Sequence, residues 1–138
     1  MAPHACMRGL FIYICYNILM QNCIFCKIIK KEVPADIVYE NDNFIVFLSI
    51  DPRSPGHSLI VPKQHYRWVW DVPNSGEYFE IATKIALAQR KAFGTEEIWS
   101  KVIGEEVPHA HIWIFPKPGT PGELKDFKTN KDKIISNL

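Results

Sequence analysis

The 138-residue chain has no excess of either charge: sixteen Lys and Arg meet fifteen Asp and Glu, for a net charge of +1. The broad basic field that holds a polyanion by counterion release is missing, so sequence-independent nucleic-acid binding is excluded as a first reading. Cysteine is scarce as well, with four residues, and a chain of this length buries a core without disulfide staples. That usage suits a reducing, cytoplasmic compartment. No apolar run reaches the roughly 20 residues that a bilayer crossing requires, so no membrane partner is expected. The run Gly9 to Met20 follows Arg8 in the order of an export signal, but Gln21-Asn22-Cys23 lacks the small-x-small cleavage pattern. We expect the native chain to begin at Met20, with residues 1–19 an N-terminal extension. The full 138-residue chain is 47% hydrophobic and 22% charged, the balance of one compact domain.

From Met20 the chain reads as grouped strands with few helices. Phe25, Ile28 and Ile29 stand at i, i+3 and i+4, a short amphipathic helix stopped by Pro34. Ile37–Glu40 and Phe44–Ile50 are β-branched and aromatic, joined by Asn41-Asp42-Asn43, which predicts a hairpin. After the breakers of Asp51–Gly56 a third strand is expected from His57 to Val61. Asn74 or Ser75 caps a long helix over about Glu77–Phe93, with Phe79, Ala82, Ile85, Ala86 and Ala92 on its apolar stripe and Gly94 at its end. Strands over Glu97–Ile103 and His109–Phe115 follow, and residues 117–138, rich in Pro and Gly at first and polar later, read as a C-terminal tail of loop with at most a last helical turn. The pattern predicts an α+β domain: an antiparallel sheet with a short N-terminal helix and one long helix.

Val107–Pro116 is the most informative stretch. On a strand, period two sends His109, His111 and Trp113 to one face and Ala110, Ile112 and Ile114 to the other, which is the core face. Two imidazoles about 7 Å apart and an indole then line one surface. Taken alone, such a pair is more often a polar face than a catalytic one.

The stretch His109–Pro116, read with Pro55–Lys63 and with Cys23–Ile29, resembles in order and spacing the histidine triad (HIT) superfamily of nucleotide hydrolases and transferases. The resemblance covers essentially Met20 to Pro116, making residues 20–116 the nucleotide-binding catalytic domain. It implies that His111, the middle histidine, attacks the α-phosphorus of a nucleotide to form a nucleotidyl-histidine that water or another acceptor resolves. It also implies that the backbone carbonyl of His109 fixes the tautomer of His111, and that His57 stands close to the same pocket. The third histidine of the family is absent: Trp113 holds its place. An indole donates one hydrogen bond but transfers no proton, and losing general acid assistance typically slows a reaction by about 10²–10⁴-fold when the leaving group needs protonation. Substrates that expel phosphate, pyrophosphate or acyl anions are therefore expected to be favoured over amine phosphoramidates.

By position the resemblance assigns Ile24, Phe25, Ile28, Phe47 and Ile50 to the wall around the base, although each suits ordinary core equally well. Ser49 falls where the family grips the ribose hydroxyls with an acid or Asn. Glu105 and Glu106 fall where many members present polar groups to phosphate, and repulsion predicts that at least one points away. Cys23-x-x-Cys26 by itself is compatible with redox chemistry. Several bacterial-type members hold zinc with such a pair, the histidine of Pro-Lys-x-His and the first triad histidine, here Cys23, Cys26, His65 and His109. Two thiolates and two imidazoles fill a tetrahedral shell, which reads as structural zinc. A homodimer is implied as well. The competing readings are a zinc-stabilised nucleotide-binding module with little or no turnover, and a zinc hydrolase whose metal carries the attacking water.

Overall fold

The computed structural model describes residues 22–138, so the expectation for residues 1–19 lies outside the described residues. Helix α1 (Ile24–Ile29) precedes the hairpin β1 (Ile37–Glu40) and β2 (Phe44–Leu48), and then β3 (Ser58–Pro62), the long helix α2 (Ser75–Phe93), β4 (Ile98–Lys101), β5 (Ile112–Pro116) and α3 (Phe127–Ser136). The sheet runs β1-β2-β3-β5-β4 and every neighbouring pair is antiparallel, as expected for the α+β class. The Asn41 side chain closes the hairpin by accepting from the backbone N–H groups of Asn43 and Phe44 at 2.9 and 2.8 Å.

Both faces of the sheet are covered. Phe44, Val46, Leu48, Ile60, Ile112 and Ile114 pack with α2 and α3, while Ile45, Phe47, Leu59 and Val61 pack with α1. Hence β2 is an unbroken apolar run, buried at every position, where a half-solvated strand would alternate. Two buried side chains stitch α2 to the sheet. Tyr78 donates its hydroxyl to the Ile60 carbonyl at 2.8 Å, and burial pushes its phenol above the ordinary range. Gln89 donates to the carbonyls of Gly56 and Ile114 at 3.0 and 2.9 Å.

Several expectations are corrected. The buried stripe of α2 is Tyr78, Ile81, Ala82, Ile85, Ala88 and Gln89, and Phe79 is 42% exposed. Buried Gln89 looks like a surface residue in the sequence and shifted the apparent phase by one position. Residues 127–136 form a ten-residue helix rather than a tail, started by the Asp126 carboxylate on the Thr129 N–H and anchored by fully buried Ile134. Its apolar stripe is too sparse to stand out by periodicity. Strand β5 begins at Ile112 rather than His109, because the N–H of His109 bonds Val107 and that of Ala110 bonds Tyr66, outside any ladder. Strand β3 begins at Ser58, β2 stops at Leu48, and β4 is confined to Ile98–Lys101. Among the described residues no helix is long and apolar enough to cross a membrane.

Candidate active site and metal centre

His111 lies just before β5, 2% exposed, with its Nδ1 2.7 Å from the carbonyl of His109. A carbonyl only accepts, so Nδ1 carries a proton, and in the neutral ring Nε2 keeps its lone pair. The edge of Phe25 stands 5.1 Å from the imidazole, centroid to centroid and nearly perpendicular, which fixes the ring plane. Nε2 is directed toward Glu106, whose Oε2 is 3.5 Å away.

His111 borders a cavity of about 430 Å³ between α1, the 33–36 segment, the end of β2 and β5. That volume falls in the range of small-molecule sites. All five residues expected around the base, Ile24, Phe25, Ile28, Phe47 and Ile50, line it, together with Ser49 and Trp113. Phe25 and Phe47 meet edge to face at 5.4 Å and form its apolar floor. Ile50 is 88% exposed at the rim, an arrangement that leaves its surface available to a ligand. The Asp51 N–H donates to Ser49 Oγ at 3.2 Å, so the Ser49 hydroxyl proton remains for another acceptor. Of the two adjacent glutamates, Glu106 lines the cavity and Glu105 does not. Asp36, Arg53 and Val107 are wall residues that the sequence reading missed. A lone arginine in a Pro-rich loop carries no periodic signal that would have marked it.

His57 stands close to the pocket but behind its wall, packed on Trp113 rather than lining the cavity. Its ring packs against Trp113 and Phe115 at 5.0 and 4.8 Å, and its Nδ1 accepts the Arg53 backbone N–H at 3.1 Å. Nε2 is buried and has no hydrogen-bond partner among the described residues. Burial, reinforced by Arg53 and Lys101 and opposed by Asp51, lowers its pKa to about 4. The folded ring is therefore neutral, and the unfolded chain, with an ordinary value of about 6.5, takes up the proton first as pH falls. This contribution to stability is complete above pH 6.5 and is lost progressively toward pH 4, by up to about 3 kcal/mol. Urea unfolding of wild type and His57→Gln at pH 7.5 and 4.5 checks it: the wild type should lose more stability between the two pH values, and equal losses would refute the assignment.

Cys23 and Cys26, His65 and His109, from three separate stretches of the sequence, bring their ligand atoms within 4.8 Å of one another. Cys23 caps α1, its sulfur accepting from the Cys26 N–H. The Nδ1 of His109 is 3.2 Å from the Cys23 sulfur and 3.4 Å from that of Cys26, and the Nδ1 of His65 is 3.2 Å from the Cys26 sulfur. The edges of a zinc tetrahedron of this composition measure about 3.4–3.8 Å, so small outward shifts would seat the ion. His109 is oriented for that task, because its Nε2–H donates to the Pro62 carbonyl at 2.8 Å and leaves the Nδ1 lone pair toward the sulfurs. The Cys26–Cys23 hydrogen bond holds the Cys23 thiol well below its ordinary range and pushes Cys26 up. The shift at Cys23 favours the thiolate, the form that binds metal.

A family model described as HIT domain matches residues 30–120. Among curated proteins, the chain is 36% identical to an adenosine 5′-monophosphoramidase of Saccharomyces cerevisiae, covering 76% of this chain and 73% of that one. It is also 36% identical to an adenylylsulfatase of Arabidopsis thaliana, covering 72% of this chain and 54% of that one. Among solved structures, a Hit-like protein of Bartonella henselae superposes with a TM-score of 0.77 at 33% identity, covering 86% of this chain and 98% of that one.

Proposed function

The chain belongs to the HIT domain family, and from that premise we propose that it is a nucleotide hydrolase or nucleotidyltransferase acting at the α-phosphate through His111. The observation that carries this reading is a buried imidazole whose Nδ1–H is bound to the His109 carbonyl and whose Nε2 lone pair borders a cavity of ligand size. In the proposed reaction Nε2 forms a bond to phosphorus as the bond to the leaving group breaks, and the electron pair departs with the leaving oxygen. Water or another acceptor then attacks phosphorus, and the P–N bond breaks in turn. Phosphoryl chemistry asks the protein mainly for positioning and charge stabilisation, and His111 is held by a carbonyl on one side and an aromatic edge on the other. Phe25, Phe47, Ile24, Ile28 and Ile50 offer apolar surface to a base, and Ser49 offers one hydroxyl to a ribose. Trapping of a nucleotidyl adduct on His111 tests the whole scheme.

The leaving group is the second element of the proposal. Trp113 transfers no proton, so a departing group that is already a stable anion suits this site best. One relative is named for a phosphoramidate and another for an adenylyl sulfate, and the second fits this chain's arrangement. Trp113→His is therefore expected to raise turnover of a simple adenosine phosphoramidate by about tenfold or more, with little gain on an adenylyl ester of sulfate or phosphate. Equal gains on both would count against the preference.

The four-ligand cluster has two thiolates and two imidazoles for a tetrahedral ion, and we assign it structural zinc. Once zinc is bound, the closed shell pins α1 to the segment that carries His109. With all four positions held by side chains, none remains for an attacking water, which disfavours a zinc hydrolase.

A further inference from the structure

The cavity that His111 borders is lined by charged as well as apolar side chains. Arg53, in the loop between β2 and β3, lines it, and its guanidinium carbon lies 5.5 Å from the Trp113 ring centroid. Lys101 faces Trp113 across the β4–β5 pairing, with Nζ 5.6 Å from the same centroid. Among the described residues neither cation is engaged in an ion pair. Of the two cations Arg53 lines the cavity itself, together with the carboxylates Asp36, Asp51 and Glu106, and Lys101 stands beside Trp113.

We propose that Arg53 and Lys101, gathered around Trp113, form a receptor for the anionic group attached to the α-phosphate: the β-phosphate of a longer nucleotide, or a sulfate. The inference rests on the reading of His111 as the nucleophile and specifies how its leaving group is held. An arginine fork and an ammonium on an indole face are suited to tetrahedral oxyanions. When the bond from phosphorus to the leaving oxygen breaks, that oxygen takes the electron pair and no proton moves. The charge that a general acid would quench is offset by the two cations instead. His57 acquires a positioning role here: its buried Nδ1 holds the Arg53 backbone N–H, which sets the direction of the loop. The effect of both cations on the buried ring agrees with their convergence on Trp113, against which it packs.

The test is calorimetric binding of AMP and of non-hydrolysable α,β-methylene-ADP to the zinc-loaded protein, in wild type and in Arg53→Gln, Lys101→Gln and the double variant. Both side chains are exposed, so the variants should fold. Wild type should bind the methylene-ADP about tenfold or more tighter than AMP, and the double variant should bring that ratio close to one. A wild type with no preference, an unchanged ratio in the double variant, or an equal loss of both nucleotides would overturn the proposal. The binding ratio and the His111 adduct are separate readouts. A collapsed ratio with no adduct would leave the receptor standing and remove the covalent mechanism, and an adduct with an unchanged ratio would do the reverse.

Discussion

His111→Ala should abolish nucleotidyl transfer. Mass spectrometry of wild-type protein quenched during turnover of dinucleoside polyphosphates, nucleoside phosphoramidates, adenylates and nucleotide sugars should find one nucleotidyl group on His111 for the substrates that react. In the variant the adduct should vanish and turnover should fall by about 10⁴-fold or more, the scale at which removal of a covalent nucleophile registers. Affinity for the unreacted nucleotide should change far less, because the wall of Phe25, Phe47 and Trp113 is untouched. Since His111 is buried, His111→Asn serves as a second variant of closer shape, and both should be compared by thermal unfolding. An adduct on another residue, or full activity without His111, would end the proposal. Activity that survives His111→Ala but is lost with the metal would support the zinc hydrolase, and nucleotide binding with no adduct or turnover in wild type would support the binding module.

The second large effect concerns the metal. Protein purified without a histidine tag should carry about one zinc per chain, and Cys23→Ser or Cys26→Ser should remove it. Loss of a closed structural shell should lower stability by about 3 kcal/mol or more, a fall in Tm of roughly 10 °C for a domain of this size. The two substitutions together should cost about as much as either alone, because each already empties the same site. The consequence reaches the cavity: α1 supplies Ile24, Phe25 and Ile28 to its wall, and Phe25 also steadies the His111 ring. Nucleotide affinity should therefore fall along with zinc. Zinc well below one per chain, or a thermal midpoint unchanged after chelation, would remove the ion from the site.

The hairpin, the long helix and its Gly94 stop were legible because each is a local pattern with its own turn or capping chemistry. The alternation of Ala110, Ile112 and Ile114 against Trp113 was legible for the same reason, although the ladder itself starts two residues later than the first of them. The metal ligands and the cavity wall were found from resemblance to a family, since no periodicity joins Cys23 to His109. The helix at 127–136 escaped notice because its stability comes from Ile134 docking on α2 and the sheet rather than from a strong stripe.

The chain's own pattern was enough to set the class of fold, the neutral surface, and the row of two histidines and a tryptophan with no third imidazole, because composition and short-range periodicity carry those properties. Tertiary structure alone decided that His57 turns inward while Arg53 and Lys101 converge on Trp113, and that Glu106 faces His111 while Glu105 does not. These are contacts between loops and strands distant in sequence. Only packing chooses among their geometries, because each of these side chains would be equally acceptable to its local backbone in solvent.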